Sequence, residues 1–160
     1  MKPGVKRGLK YLRNAIIIVV LAIVMFFAVN IIYLFFSYGR IDDNQSLEVS
    51  NTTNPKTALR NGIQYSAMTY NTGFSAYLPD FSFFMDGGTE SWAKSKESVE
   101  KNTADIANFV AGQNADFVGL QEVDSNADRT YHVNEVGMIR NSLPSYSDVN
   151  ACCFNSPFLF

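Results

Sequence analysis

Twenty-two consecutive residues, Ala15 to Phe36 (AIIIVVLAIVMFFAVNIIYLFF), carry no charge and a single amide, Asn30. As an α-helix this run is about 33 Å long at about 1.5 Å per residue, enough to cross a bilayer's hydrocarbon core. A buried core helix and a cleaved signal peptide are the alternatives. The apolar part of a signal peptide is normally about 7–15 residues and leads into a small-residue cleavage site. This run is longer and exits through Phe35, Phe36, Ser37 and Tyr38, so an uncleaved transmembrane signal-anchor is expected over 15–38.

The flanks predict its orientation. Lys2, Lys6, Arg7, Lys10 and Arg13 precede the span, whereas Arg40 is the nearest cation after it. Positive flanks stay in the cytoplasm. Residues 1–14 therefore read as a cytoplasmic basic segment, and everything from about Arg40 onward as extracytoplasmic, in a single-pass protein of the cell membrane. Tyr11, Tyr33 and Tyr38 suit interfacial positions near the ends of the span.

Beyond the anchor the charge changes sign: from residue 14 onward eight Lys and Arg face fifteen Asp and Glu, a net −7. Non-specific nucleic-acid binding rests on phosphate neutralisation by Lys and Arg, so this part disfavours it. A polyanionic substrate needs a bridging cation. Cys152 and Cys153 are adjacent, too close in sequence to staple a fold, and read as small apolar residues of a strand.

Residues 39–61 are polar and turn-rich, as expected of a linker, with Asn44-Gln-Ser and Asn51-Thr-Thr as glycosylation acceptor patterns. The folded domain is expected over 62–160. The segment 63–71 (IQYSAMTYN) reads as a strand ending at the turn-prone Asn71-Thr72-Gly73. An elaborated aromatic loop follows, with Phe74, Tyr77, Phe81, Phe83 and Phe84 available as a substrate wall, a lipid contact or ordinary packing. Its Gly87-Gly88 is either a plain turn or a close approach to phosphate. Val99, Thr103, Ile106, Ala107 and Val110 recur at helical spacing, predicting a helix from Lys96 to Ala111 capped by Ser95 and stopped by Gly112. The apolar run Phe117 to Leu120 predicts another strand, and 156–160 (SPFLF) a further one at the end of the chain.

Strand, helix, strand places two C-terminal strand ends on one rim if the strands share a sheet and run parallel. Asn71 and Glu122 then become neighbours, at the edge where open α/β sheets put their ligands. An amide oxygen and a carboxylate are hard donors that suit Mg²⁺ or Mn²⁺. Taken singly, each has an ordinary reading: a turn-forming asparagine and a solvated or salt-bridged glutamate. Arg129 and His132, close after the second strand, are placed to reach a bound phosphate; a solvated arginine and a hydrogen-bonded histidine are the alternatives.

The segments 68–74 (MTYNTGF) and 116–124 (DFVGLQEVD), in order and with a helix between them, resemble the opening of the endonuclease/exonuclease/phosphatase superfamily of metal-dependent phosphohydrolases. The resemblance covers about the last hundred residues. It implies the N-terminal half of a four-layered α/β sandwich, preceded here by one transmembrane helix. It also implies a Mg²⁺ (or Mn²⁺) site with Glu122 as direct ligand, Asn71 organising metal and phosphate as a further member, and Gln121 in a supporting position; Arg129 and His132 are candidate supporting residues by their place after the second strand alone.

The family's later segments, Gly-Asp-x-Asn and a terminal Ser-Asp-His, have no counterpart: Asp148-Val149-Asn150 follows Glu122 too closely, and His132 lacks a preceding Ser-Asp. The chain is therefore expected to represent a truncated, inactive N-terminal part of a phosphoester hydrolase. Its partners would be the lipid bilayer and a lipid, small-molecule or nucleic-acid phosphoester. The alternative is a non-enzymatic membrane-anchored binding module that uses an exposed sheet edge.

Overall fold

The computed structural model describes residues 3–39, 41–50 and 58–155. Lys2 and Arg40, the Asn51-Thr-Thr acceptor and the strand expected over 156–160 lie outside the described residues. The chain divides into two compact units, one built on the N-terminal helix and one spanning Leu47–Asn150.

Helix α1 runs from Pro3 to Ser37. It is long and apolar enough to cross a membrane. It begins well before the expected anchor: the helix continues through the basic segment, so Lys6, Arg7, Lys10 and Arg13 lie on the same helix as the apolar run. At 35 residues it is about 52 Å long, more than a hydrocarbon core requires. The run's lone amide is satisfied locally, with Asn30 Nδ2 donating to the Phe26 carbonyl at 2.7 Å. In the same unit, residues 151–155 form neither helix nor strand, and Cys152 and Cys153 are exposed free thiols. The strand expected there does not form.

The second unit is built from helices and short strands. Strand β1 (Val49–Ser50) pairs antiparallel with β4 (Asp148–Val149), so the linker read over 39–61 contains residues that belong to the folded unit. Arg140 locks β4 by a fork onto the Asp148 carboxylate at 2.7–3.0 Å. Strands β2 (Ala67–Asn71) and β3 (Phe117–Gln121) form a parallel pair in which Ala67 faces Phe117 and Asn71 faces Gln121. Their starts are clamped by Asp116, whose carboxylate accepts from the Ser66 N–H and hydroxyl, both at 2.8 Å. Those two donors hold the Asp116 carboxyl below the usual range.

Between them runs α2 (Lys96–Gln113), opened by Ser95, whose hydroxyl accepts from Ser98 N–H. The expected stop at Gly112 is displaced: Gly112 stays inside the helix, and Asn114 takes the left-handed cap conformation at φ 48°. Asparagine tolerates that conformation because its short polar side chain bonds locally. Val99, Thr103, Ala107 and Val110 are the buried stripe. A third helix, α3 (Glu135–Ser142), capped by the Asn134 side chain on Gly137 N–H, was not anticipated.

The unit has two apolar clusters. In the first, Ala107 and Val110 of α2 and Ile139 and Leu143 meet Met68, Val118 and Leu120 from one face of the β2–β3 pair. The second gathers Phe74, Ala76, Ala93, Val99 and Val133, with Phe81 and Phe83 against it. Packing of the aromatic loop on its own domain is therefore what the structure shows. Gly87 turns the loop at φ 86°, and a Cβ at Gly88 would meet the Ser82 carbonyl oxygen at 2.3 Å, so the glycine pair serves a turn. Among the described residues the sheets have two strands each, with helices on one face of the parallel pair.

Candidate functional site

At the C-terminal rim the two parallel strands stay joined past their last residues. Thr72 N–H donates to the Gln121 carbonyl and Phe74 N–H to the Glu122 carbonyl, both at 2.9 Å, while the Thr72 hydroxyl lies 2.8 Å from the latter. Glu122 occupies the left-handed region at φ 54°, as do Gly73 (56°), Phe74 (43°) and Ser75 (52°) opposite it. For a residue with a side chain this costs about 1–2 kcal/mol. Such strain persists where surrounding bonds and packing over-determine the backbone, and it gathers at ligand sites. Here the over-determination is visible: Phe74 is fully buried and its N–H is bonded across the rim.

These turns bring Asn71 and Glu122 together. Asn71 Nδ2 donates to Glu122 Oε1 at 2.9 Å. Asn71 Oδ1 accepts from its own turn, from Gly73 N–H at 2.8 Å, which defines which end of the amide is oxygen. In this arrangement the asparagine oxygen accepts one backbone N–H and keeps a second lone pair, while its nitrogen orients the Glu122 carboxylate. Gln121 pairs with Thr69 across the strands, its side-chain oxygen and nitrogen 3.3 and 3.2 Å from the Thr69 hydroxyl. Its backbone carbonyl, more than its side chain, serves the rim.

Arg129 is nearly buried and held on three sides. Its Nε and Nη2 donate to the two Asp124 oxygens at 2.8 and 2.9 Å. Its guanidinium carbon lies 3.9 Å from the centre of the Phe74 ring, a favourable cation–π placement. The remaining nitrogen, Nη1, stands 3.8 Å from Glu122 Oε2. His132 is engaged elsewhere: its ring nitrogens meet Asn126 Oδ1 at 3.1 Å and Asp128 Oδ1 at 3.3 Å. That geometry corresponds to the hydrogen-bonded reading of His132.

Two members of the site went unassigned in the sequence. Asp124 sits inside the 116–124 motif and anchors Arg129. Glu135, the first residue of α3, is fully buried; its Oε2 accepts from Asp124 N–H at 2.9 Å. Burial pushes its carboxyl up to about 7, with the nearby Asp124 charge adding to the effect and the Asp124 N–H, Ser75 and Arg129 opposing it. The Asn134 cap and the helical spacing of Val136 and Ile139 were the available signals.

Among the described residues no three His, Cys, Asp or Glu side chains gather as a metal cage. What the rim offers a cation is one oriented, partly exposed carboxylate, Glu122. That fits a hard ion such as Mg²⁺, which keeps several waters and takes one or two carboxylates plus substrate phosphate. No family model, curated protein or solved structure matches the chain.

Proposed function

We propose that this chain is a membrane-anchored part of a metal-dependent phosphoester hydrolase of the endonuclease/exonuclease/phosphatase kind. The observation that carries the reading is the Asn71–Glu122 hydrogen bond at the C-terminal rim of a parallel strand pair. It brings together, from opposite ends of a strand–helix–strand unit, the two residues on which the resemblance rests. The complete fold in this reading is a four-layered α/β sandwich, to which β2, β3 and the helices over them contribute one part.

Glu122 would hold Mg²⁺ or Mn²⁺, with Asn71 keeping its carboxylate in position. Such an ion would supply positive charge to the oxygens of a phosphate group beside an otherwise acidic surface. Arg129, fixed by Asp124 and the Phe74 ring, presents Nη1 beside Glu122, where it meets a phosphate oxygen as a preset donor. The property assigned to the described residues is cation and phosphate binding. In this reading α1 lies in the cell membrane with its basic end in the cytoplasm, and the site faces outward.

A second reading, a non-enzymatic anchored binding module, draws on the uncovered face of the β2–β3 pair, where Ala67, Thr69, Phe117, Gly119 and Gln121 are exposed. Mn²⁺ titration of the full chain in detergent micelles, with and without a phosphodiester analogue, separates the two. The hydrolase reading expects Mn²⁺ binding that strengthens with the analogue and is lost in Glu122→Gln. Equal binding by that variant removes Glu122 from any metal site and leaves the binding-module reading.

A further inference from the structure

Among the described residues, Glu135 has an unusual environment. It is fully buried, it is the first residue of its helix, and as placed its Oε1 has no hydrogen-bond partner. A buried carboxylate oxygen without a donor is costly. The neighbouring hydroxyls indicate how the cost is avoided. Thr103, inside α2, spends its only hydroxyl proton on the Val99 carbonyl at 2.8 Å. Ser75 lies 2.9 Å from the Thr103 oxygen, so Ser75 must be the donor of that contact. Its lone pairs then remain available, and its hydroxyl is near enough to bear on the Glu135 titration.

A proton on Glu135 Oε1 completes this arrangement. Protonated, Glu135 would have a donor to turn toward the Ser75 hydroxyl, which passes its own proton to Thr103 as Thr103 does to the Val99 carbonyl, while Glu135 Oε2 still accepts from Asp124 N–H. We propose that Glu135 is a protonated positioning residue for the rim site, tying the strained turn at Ser75 to the backbone of Asp124 and so fixing Arg129 beside Glu122. The charged groups bearing on it are Asp124 and Arg129; Ser75 and Thr103 contribute uncharged hydroxyls. Asp124 carries the Arg129 fork, and Ser75 follows Phe74, on whose ring the guanidinium rests. One carboxyl thus links both supports of Arg129. Ionisation would place a second negative charge beside Asp124 and leave Oε1 without a donor.

The positional claim does not depend on the metal reading; only its consequence for cation affinity does. The test uses the full chain in detergent micelles. In the wild-type protein, the ¹³C resonance of the Glu135 carboxyl is expected to titrate well above the ordinary glutamate range. Glu135→Gln, which donates and accepts in the same pattern, is expected to keep the slowly exchanging Arg129 Nε–H signal and the Mn²⁺ affinity. Glu135→Ala is expected to lose that signal and to weaken Mn²⁺ binding about tenfold, the usual scale for removing support behind a ligand. A Glu135 carboxyl that titrates like an exposed glutamate overturns the proposal, as does an unchanged Arg129 signal in Glu135→Ala. The wild-type titration decides the protonation even if the alanine variant does not fold. Unchanged Mn²⁺ binding in Glu122→Gln would sink the metal reading and leave the carboxyl and Arg129 measurements to decide Glu135.

Discussion

Asn71 and Glu122, 51 positions apart in the chain, meet through a 2.9 Å hydrogen bond from amide nitrogen to carboxylate oxygen. The amide is held in that orientation by Gly73 N–H, so its polarity at the rim is set by the backbone. Asn71→Asp replaces the donor with a like charge. The variant is expected to lose about 1 kcal/mol of stability, and to recover part of it on addition of Mn²⁺. Denaturation curves with and without Mn²⁺ check both statements, and a variant as stable as the wild type without metal would contradict them.

Arg129 and Asp124 form a two-point ion pair with both side chains largely shielded. Removing one partner of a buried pair strands the other charge, so Arg129→Ala should cost about 3–5 kcal/mol. Arg129→Lys keeps the charge and loses the fork and its stacking on Phe74, and is expected to fall between wild type and Arg129→Ala. Urea unfolding followed by fluorescence suits the comparison, since Trp92, the only tryptophan, packs edge-on against Tyr131 two residues away from Arg129.

The Glu135 carboxyl gives stability a definite pH dependence. Its titration moves from an ordinary 4.5 to about 7 on folding, so between those values the folded chain holds a proton that the unfolded chain has released. Stability therefore falls as pH rises through that window, by about 3 kcal/mol in total, and this contribution is level on either side. In Glu135→Gln this part of the slope should vanish. Unfolding free energies from pH 4 to pH 8 provide the measurement, and an undiminished slope in the variant would assign it to another group.

Phe74 is wholly buried, contacts the rings of Tyr77, Phe81 and Phe83 edge-on or tilted at 5.8–6.1 Å, and carries Arg129 on its face. Phe74→Ala is expected to cost about 3–5 kcal/mol. Phe74→Leu should retain most of the burial while losing the cation–π contact. The Arg129 Nε–H signal distinguishes the two losses: it should weaken in both variants, although stability falls far more in the first.

Helix α1 predicts membrane behaviour that can be checked directly. The full chain should sediment with membranes and resist alkaline extraction. The double substitution Val24→Arg and Phe27→Arg, at the middle of the apolar run, should release it, because each such charge costs about 2.5–3.5 kcal/mol at the centre of a span. Retention of the double variant in the extracted pellet would mean that the run is not what holds the protein there.

Much of this organisation is written locally. An uncharged run of 22 residues has one helical reading whatever surrounds it, and the i, i+4, i+8, i+11 recurrence from Val99 to Val110 determines which face of α2 is buried. The ends of β2 and β3 were legible locally too: β2 stops at the turn-prone Asn71-Thr72-Gly73, and the apolar run of β3 gives way to Gln121. The pairing of Val49 with Val149 was not, since two-residue strands have no period to detect.

Sequence by itself thus determined the apolar helix, the strand–helix–strand unit and the candidacy of Asn71 and Glu122, because each depends on side-chain pattern over a few turns. Only the tertiary structure decided that Asn71 turns its nitrogen to the glutamate, that Arg129 is locked by Asp124 and Phe74, and that Glu135 is buried. A glutamate at the start of a helix ordinarily faces water. Its environment here comes from Ser75, Thr103 and Asp124, residues distant in the chain, and long-range packing of that kind leaves no local signature.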